Sequence, residues 1–252
     1  MPRGRPLYTG FLSIIHLTLV RHGQASYLEE NYDRLSPVGE LQSKRLGEFW
    51  ARRGVCFDAV FSGPAQRHRR TAEIVLRTCR LGGLEWPEAE ILPQFDEFPG
   101  EQVMRVFAPV LRERHPQIKQ MGDAFLAAND AAEKRAAMDR LFHEVSRRWV
   151  DAEVSSPEVE SWNQFTARVG AGIAEIRRRI RPGDRAVVFT SAGPTAVVVS
   201  LALGIPARNT LELAFSPNNG SYSEFRLDAG AVTLSTFNSF PHLDEPELLT
   251  YR

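Results

Sequence analysis

Only two cysteines, Cys56 and Cys79, occur in this chain of 252 residues, and their spacing matches no metal-ligand motif. Two thiols do not make a disulfide framework, so the expected compartment is a reducing cytoplasm. Net charge is missing as well: 31 Lys and Arg balance 31 Asp and Glu. That balance removes the basic field expected if nucleic acid were the main partner. Lysine is scarce, with only Lys44, Lys119 and Lys134, so arginine supplies 28 of the 31 basic residues. Any single arginine therefore needs an argument from its position. No apolar run approaches the length of a bilayer span, and no membrane partner is expected. The basic start with Arg3 and Arg5 resembles a signal peptide, yet His16 and Thr18 interrupt the apolar stretch and no small-residue cleavage site precedes Arg21. That stretch is read as a core strand and residues 1 to about 10 as a lead-in. There is no internal repeat and no low-complexity tract.

What is present is an ordered alternation of strand and helix signals. The apolar run from Phe11 to Val20 predicts a buried strand, followed at once by Arg21, His22 and Gly23. Gln24 to Arg34 is loop-like. Ser36-Pro37, with Glu40 close behind, opens a helix through about Arg53. A short strand over Phe57 to Phe61 and the turn Ser62-Gly63-Pro64 lead to a helix carrying Arg67, Arg70, Thr71 and Ile74. A third strand around Glu90 to Leu92 precedes Phe95-Asp96-Glu97-Phe98. From Gly100 to about residue 156 the pattern is helical and charged, without a strand signal. Glu160 to Arg181 then reads as a helix, Arg185 to Thr190 as a central strand, and Thr195 to Leu203 as an apolar helix after the turn Ser191-Ala192-Gly193-Pro194. Ser221 to Leu227 and Ala231 to Phe237 form a hairpin around Asp228-Ala229-Gly230. The fold class expected is α/β: one domain over residues 1–252, a three-layer α/β/α sandwich with a mostly parallel central sheet, a helical insertion at about 100–156 over the site, and a C-terminal hairpin.

Open α/β sheets bind ligands beyond the carboxyl ends of their strands. Three such ends carry matching signals: Arg21 and His22 after the first strand, Arg67 one helical turn past the second, and Asp96-Glu97 after the third. Two arginines grip a phosphoryl group with charge-assisted hydrogen bonds, an unprotonated imidazole attacks phosphorus, and a protonated carboxylic acid gives the leaving oxygen its proton. Together these residues describe phosphoryl transfer that needs no metal and no cofactor.

At these residues the sequence resembles the histidine phosphatase superfamily, also called phosphoglycerate mutase-like. The resemblance is carried by Leu17 to Gly23, by Phe57 to Arg67 followed by Arg70-Thr71-Ala72-Glu73, and by Leu35 to Gly39 with Gln42 and Leu46. Glu160-Ser161-Trp162, Val187 to Ser191 and the tail from Phe237 to Arg252 extend it to a bacterial branch of that family. The resemblance implies that His22 is the phosphorylated nucleophile, with a backbone carbonyl fixing its attacking tautomer. It implies Arg21 and Arg67 as phosphoryl ligands and Glu97 as the general acid, with Asp96 the alternative because only one of two adjacent carboxyls need face the pocket. Gly23, Gln24 and Ser191 are the expected substrate-binding residues.

One departure stands out. The family carries a second histidine after its central strand, and here Ser191 occupies that place, able to hydrogen-bond a phosphate but not to carry charge. Ser191 and the backbone N–H groups after it are expected to form an anion site at a helix start. His68 directly follows Arg67, and because consecutive helical residues diverge by about 100°, it is expected on the helix surface. His16 falls in the first strand, His115 and His143 in the insertion and His242 in the tail, and none has metal spacing. The resemblance implies a metal-independent phosphomonoesterase of the histidine acid phosphatase type, acting on a small phosphate ester through a phosphohistidine. The Ser191 departure keeps two alternatives open: a weakly active or non-catalytic phospholigand-binding protein, and a phosphoglycerate-type mutase. The oligomeric state is left open by the sequence, although a hydrophobic edge near the hairpin could pair with a second subunit as a homodimer.

Overall fold

The computed structural model describes residues 14–26 and 33–251. The lead-in, Phe11 to Ser13 of the first strand and part of the loop after Gln24 lie outside the described residues. Within them six strands form one sheet in the order β3-β2-β4-β1-β5-β6. Strands β1 (Ile15–Arg21), β2 (Ala59–Ser62), β3 (Glu90–Ile91) and β4 (Arg185–Thr190) run parallel. Strands β5 (Tyr222–Leu227) and β6 (Val232–Ser239) form the antiparallel hairpin, whose turn is held by Asp228 Oδ1 accepting from the amides of Gly230 and Ala231.

The period-two alternation of the central strands sorts their side chains onto two faces. Leu17, Leu19, Phe61 and Val188 face one layer; Val20, Val60, Val187 and Phe189 face the other. Helices α1 (Pro37–Arg52) and α2 (Gln66–Leu81) cover the second face through Leu46, Trp50, Val75 and Cys79. The first face is covered by α6 (Trp162–Arg179) and α7 (Ala192–Leu203), with Phe165, Val169, Ile173 and Val197 buried. Complete burial of one such side chain contributes about 1.5–3 kcal/mol.

Residues 100–150 form three helices, α3 (Gly100–Arg114), α4 (Pro116–Ala127) and α5 (Ala131–Val150). Val103, Phe107 and Leu111 on α3, and Leu141, Val145 and Trp149 on α5, bury one stripe each at helical spacing. Phe98 stacks on both Phe142 and Trp149, which ties this layer to the segment carrying Glu97.

Several boundaries differ from the sequence reading. Helix α7 begins at Ala192 rather than Thr195, because Pro194 is tolerated in a first turn whose N–H groups have no intrahelical partner. A short helix α8 (Ala207–Ala214) follows Pro206, too brief to show a clear period. Ser36 caps α1 by accepting from Gly39 N at 3.1 Å, while Glu40 pairs with Arg70 at 2.7 Å instead of completing a capping box. His16 lies in β1, as read from the sequence, and is exposed there. Among the described residues no helix is long and apolar enough to cross a membrane.

Candidate active site

Because β1, β2 and β4 are parallel and in register, their carboxyl ends meet at one edge: Arg21 lies opposite Thr190, and Ser62 opposite Phe189. The chain leaving each strand carries a site residue. His22 is 6 % exposed and is fixed from both sides, its N–H donating to Thr190 O at 2.9 Å and its carbonyl accepting from Gly220 N at 3.0 Å. Its ring nitrogen Nδ1 lies 2.7 Å from Gly23 O. A carbonyl only accepts, so Nδ1 carries the proton and Nε2 keeps a lone pair. Burial, and then the charges of Arg67 and Arg21 with the His68 ring, hold this imidazole well below its usual range, so it is neutral.

Both arginines are braced. Arg21 donates to the carbonyls of Pro217 and, at 2.8 Å, Tyr251, which fixes the plane of its guanidinium. Arg67 donates to Asp33 Oδ1 at 2.7 Å, and the same carboxylate accepts from Gln66 N at 2.7 Å at the start of α2. Asp33 therefore anchors the arginine and caps the helix that bears it.

Glu97 meets the start of α7: its carboxyl accepts from Gly193 N at 3.3 Å and from Phe98 N at 2.9 Å. The group that accepts from the α7 terminus is thus the chain's own Glu97 carboxyl, beside the Ser191 hydroxyl expected there from the sequence. Burial pushes the Glu97 carboxyl above the ordinary carboxylate range, against the pull of those two N–H bonds and of Arg67 and Arg21. A carboxyl that holds its proton more tightly than an ordinary carboxylate has the character a general acid needs. Asp96 is also raised by burial, but its Oδ1 is taken by Glu97 N at 2.9 Å. The loop beneath them is fastened by Arg168 of α6, which donates to Gln94 O at 3.1 Å and Asp96 O at 3.0 Å while paired with Glu160 at 2.7 Å.

His68 is the clearest correction. Angular spacing places it on the helix surface, yet it is 0 % exposed, its Nε2 lies 2.6 Å from Ser191 Oγ, and its ring centroid is 5.6 Å from that of His22. Cα–Cβ bonds tilt toward the N-terminus of a helix, so side chains of the first turn lean into the space beyond its end whatever their angular position. At the third residue of α2 the 100° rule does not separate His68 from Arg67. Burial, then Arg67, lower its imidazole well below the usual range. Room for the ring comes from Gly63, where a Cβ would stand 2.4 Å from His68 Nδ1.

The other two expected ligands have structural engagements. Gly23 packs against α1, where a Cβ would fall 2.2 Å from Gly39 O. The Gln24 side-chain oxygen accepts from Ser36 Oγ at 2.8 Å and so points to the start of α1. The structure thus gathers His22, Arg21, Arg67, Glu97, Ser191 and His68 at one edge and turns the Gln24 oxygen away.

Two cavities lie outside the cluster of site residues. One of about 510 Å³ is lined by Met121, Arg140, His143, Phe215 and Tyr251, and so adjoins the residue that braces Arg21. A larger one, about 770 Å³, lies between α1 and α2 and touches none of the site residues. Among the described residues no cluster of three or more His, Cys, Asp or Glu could hold a metal ion.

A family model described as the histidine phosphatase superfamily (branch 1) matches residues 17–140 and 126–239. A broad-specificity phosphatase of Saccharomyces cerevisiae is 37% identical over 71 residues, which are 26% of this chain and 31% of that relative, so the match spans about a third of the yeast protein. Phosphoglycerate mutase from Bacillus anthracis superposes with a TM-score of 0.60 at 14% identity, covering 94% of this chain and 98% of that one. A mycobacterial glucosyl-3-phosphoglycerate phosphatase gives 0.55 at 18% identity, covering 89% and 98%. At those identities the likeness is one of fold, and the family rests on the residues matched from 17 to 239. By that match the chain belongs to the histidine phosphatase superfamily.

Proposed function

We propose that this protein is a phosphomonoesterase that hydrolyses a small phosphate ester through a phosphohistidine at His22. The observation that carries the reading is the His22 ring itself: its Nδ1 proton is committed to Gly23 O at 2.7 Å, and two arginines and burial keep it neutral. Arg21 and Arg67 would hold the phosphoryl oxygens and offset their charge. Nε2 attacks phosphorus as the ester P–O bond breaks, and the leaving oxygen takes the Glu97 proton to depart as an alcohol. Water then attacks phosphorus and gives a proton to the Glu97 carboxylate, and the P–N bond breaks to return the neutral imidazole and inorganic phosphate. The fixed cations of two guanidinium groups supply the charge stabilisation that a metal would otherwise give, so turnover is expected to persist in EDTA. The helices of residues 100–150 would set substrate size, since segments laid over a fixed scaffold commonly do so.

The test is hydrolysis of para-nitrophenyl phosphate in EDTA, with labelling by a radioactive phosphate ester quenched in alkaline denaturant, which preserves a P–N bond. Turnover and an acid-labile label, both abolished by His22→Ala, are expected. Phosphate binding without turnover or labelling would instead identify a phospholigand-binding protein. Faster transfer to a second phosphate ester than to water would identify a mutase.

A further inference from the structure

We propose that His68 and Ser191 work as one unit, in which the imidazole positions the hydroxyl and the hydroxyl donates its hydrogen to a phosphoryl oxygen held at His22. The inference rests on the reading of the His22 pocket as a phosphoryl site and adds a contact to it. Both residues are completely buried, one from α2 and one from the end of β4, and they meet at 2.6 Å. Ser191 stands at the N-cap position of α7, where a serine hydroxyl ordinarily accepts from the helix amides. Here it makes no cap bond, and Gly193 N donates to Glu97 instead. The hydroxyl has been given to the imidazole.

The proton positions follow from the surroundings. His68 Nδ1 has no partner among the described residues and lies against the Gly63 backbone. With a phosphoryl group bound, an N–H at Nδ1 would still be a buried donor without an acceptor, whereas a proton on Nε2 is donated to Ser191 Oγ and leaves the hydroxyl hydrogen for that group, so the bound state favours the Nε2 proton. With its oxygen occupied as acceptor, Ser191 must aim its own hydrogen elsewhere, and no acceptor for it occurs among the described residues. The His22 ring centroid is 5.6 Å from that of His68, so the two rings border one space. A phosphoryl oxygen there supplies the missing acceptor. Burial and Arg67 keep His68 neutral, so the pair contributes an oriented dipole beside the two fixed cations.

Orthovanadate, which imitates the five-coordinate phosphorus, and inorganic phosphate serve as probes, with kcat and KM for para-nitrophenyl phosphate and thermal unfolding read in parallel. His68→Phe keeps ring shape but removes the donor; His68→Gln keeps an N–H near the Nε2 position. Ser191→Ala and His68→Phe are each expected to weaken vanadate binding and kcat by about ten- to a thousandfold with KM little changed. The double variant should lose no more than the worse single one, and His68→Gln should stay within about tenfold of the parent. Wild-type vanadate affinity in a folded His68→Phe protein, or additive losses in the double variant, would reduce His68 to packing. If His68→Phe does not fold, Ser191→Ala and His68→Gln carry the same comparison. Vanadate binding that depends on the pair in a protein without turnover would keep this inference and overturn the phosphatase reading; no binding of either probe would overturn both.

Discussion

Acid should destabilise this fold through a histidine outside the chemistry. His242 is 4 % exposed, with its Nε2 donating to Gly220 O at 3.1 Å, and burial pushes its pKa from 6.5 down to about 4. The folded value is depressed, so between these limits the unfolded chain holds a proton that the folded chain refuses. Stability from this group is complete above 6.5 and is lost as pH falls toward and through 4. Each pH step below 6.5 removes about 1.4 kcal/mol, so the loss at about pH 5 is roughly 2 kcal/mol. His22 and His68, both lowered by burial, add to the loss with the same sign. The assay is urea unfolding at intervals between about pH 7.5 and pH 5, comparing the parent with His242→Gln, which keeps an N–H donor and cannot titrate. The variant should lose about 2 kcal/mol less than the parent across that interval. Parallel stability curves would refute the argument, because they would mean that His242 titrates alike in the folded and unfolded chains.

Three further outcomes follow from the site. Glu97→Gln should slow hydrolysis of alkyl phosphates by about 10²–10⁴ and affect para-nitrophenyl phosphate less; it should also remove the fall in activity that the parent shows as pH rises through the raised Glu97 pKa. A leaving-group series measures both effects. Gly193→Ala would set a Cβ 2.0 Å from Glu97 Oε1, so the carboxyl must swing away; calorimetry should show a loss of about 1–3 kcal/mol, and activity should fall further than stability explains. Asp33→Ala removes the acceptor for Gln66 N and the brace on Arg67, which should cost about 0.5–2 kcal/mol and raise KM in a steady-state assay.

The sheet was legible because its signals are local. Val187, Val188 and Phe189 could only be a strand buried on both faces, and Asp228 to Gly230 marked the hairpin turn by composition. His22, Arg21, Arg67 and Glu97 were legible because each follows a strand end, and parallel strands bring such ends together. Residues acting across elements were not. Arg168 lies 72 positions from the Asp96 carbonyl it holds, and Asp33 lies 34 from Arg67. His68 was visible only as a pair of departures, a histidine after Arg67 and a serine at Ser191, and reading them as one exchange requires knowing that the start of α2 faces the end of β4.

The brace on Arg21 also sets the order in which the protein comes into being. Its partner, Tyr251, is 230 positions away in sequence, and β1 itself pairs with strands that begin only at Arg185 and Tyr222. Contacts of such separation form late, because the chain between them must be ordered first. A refolding chain can therefore regain its helices while His22 still lacks the braced Arg21 beside it. Recovery of the proposed activity would then mark the docking of the last segment, a timer of the fold's own completion.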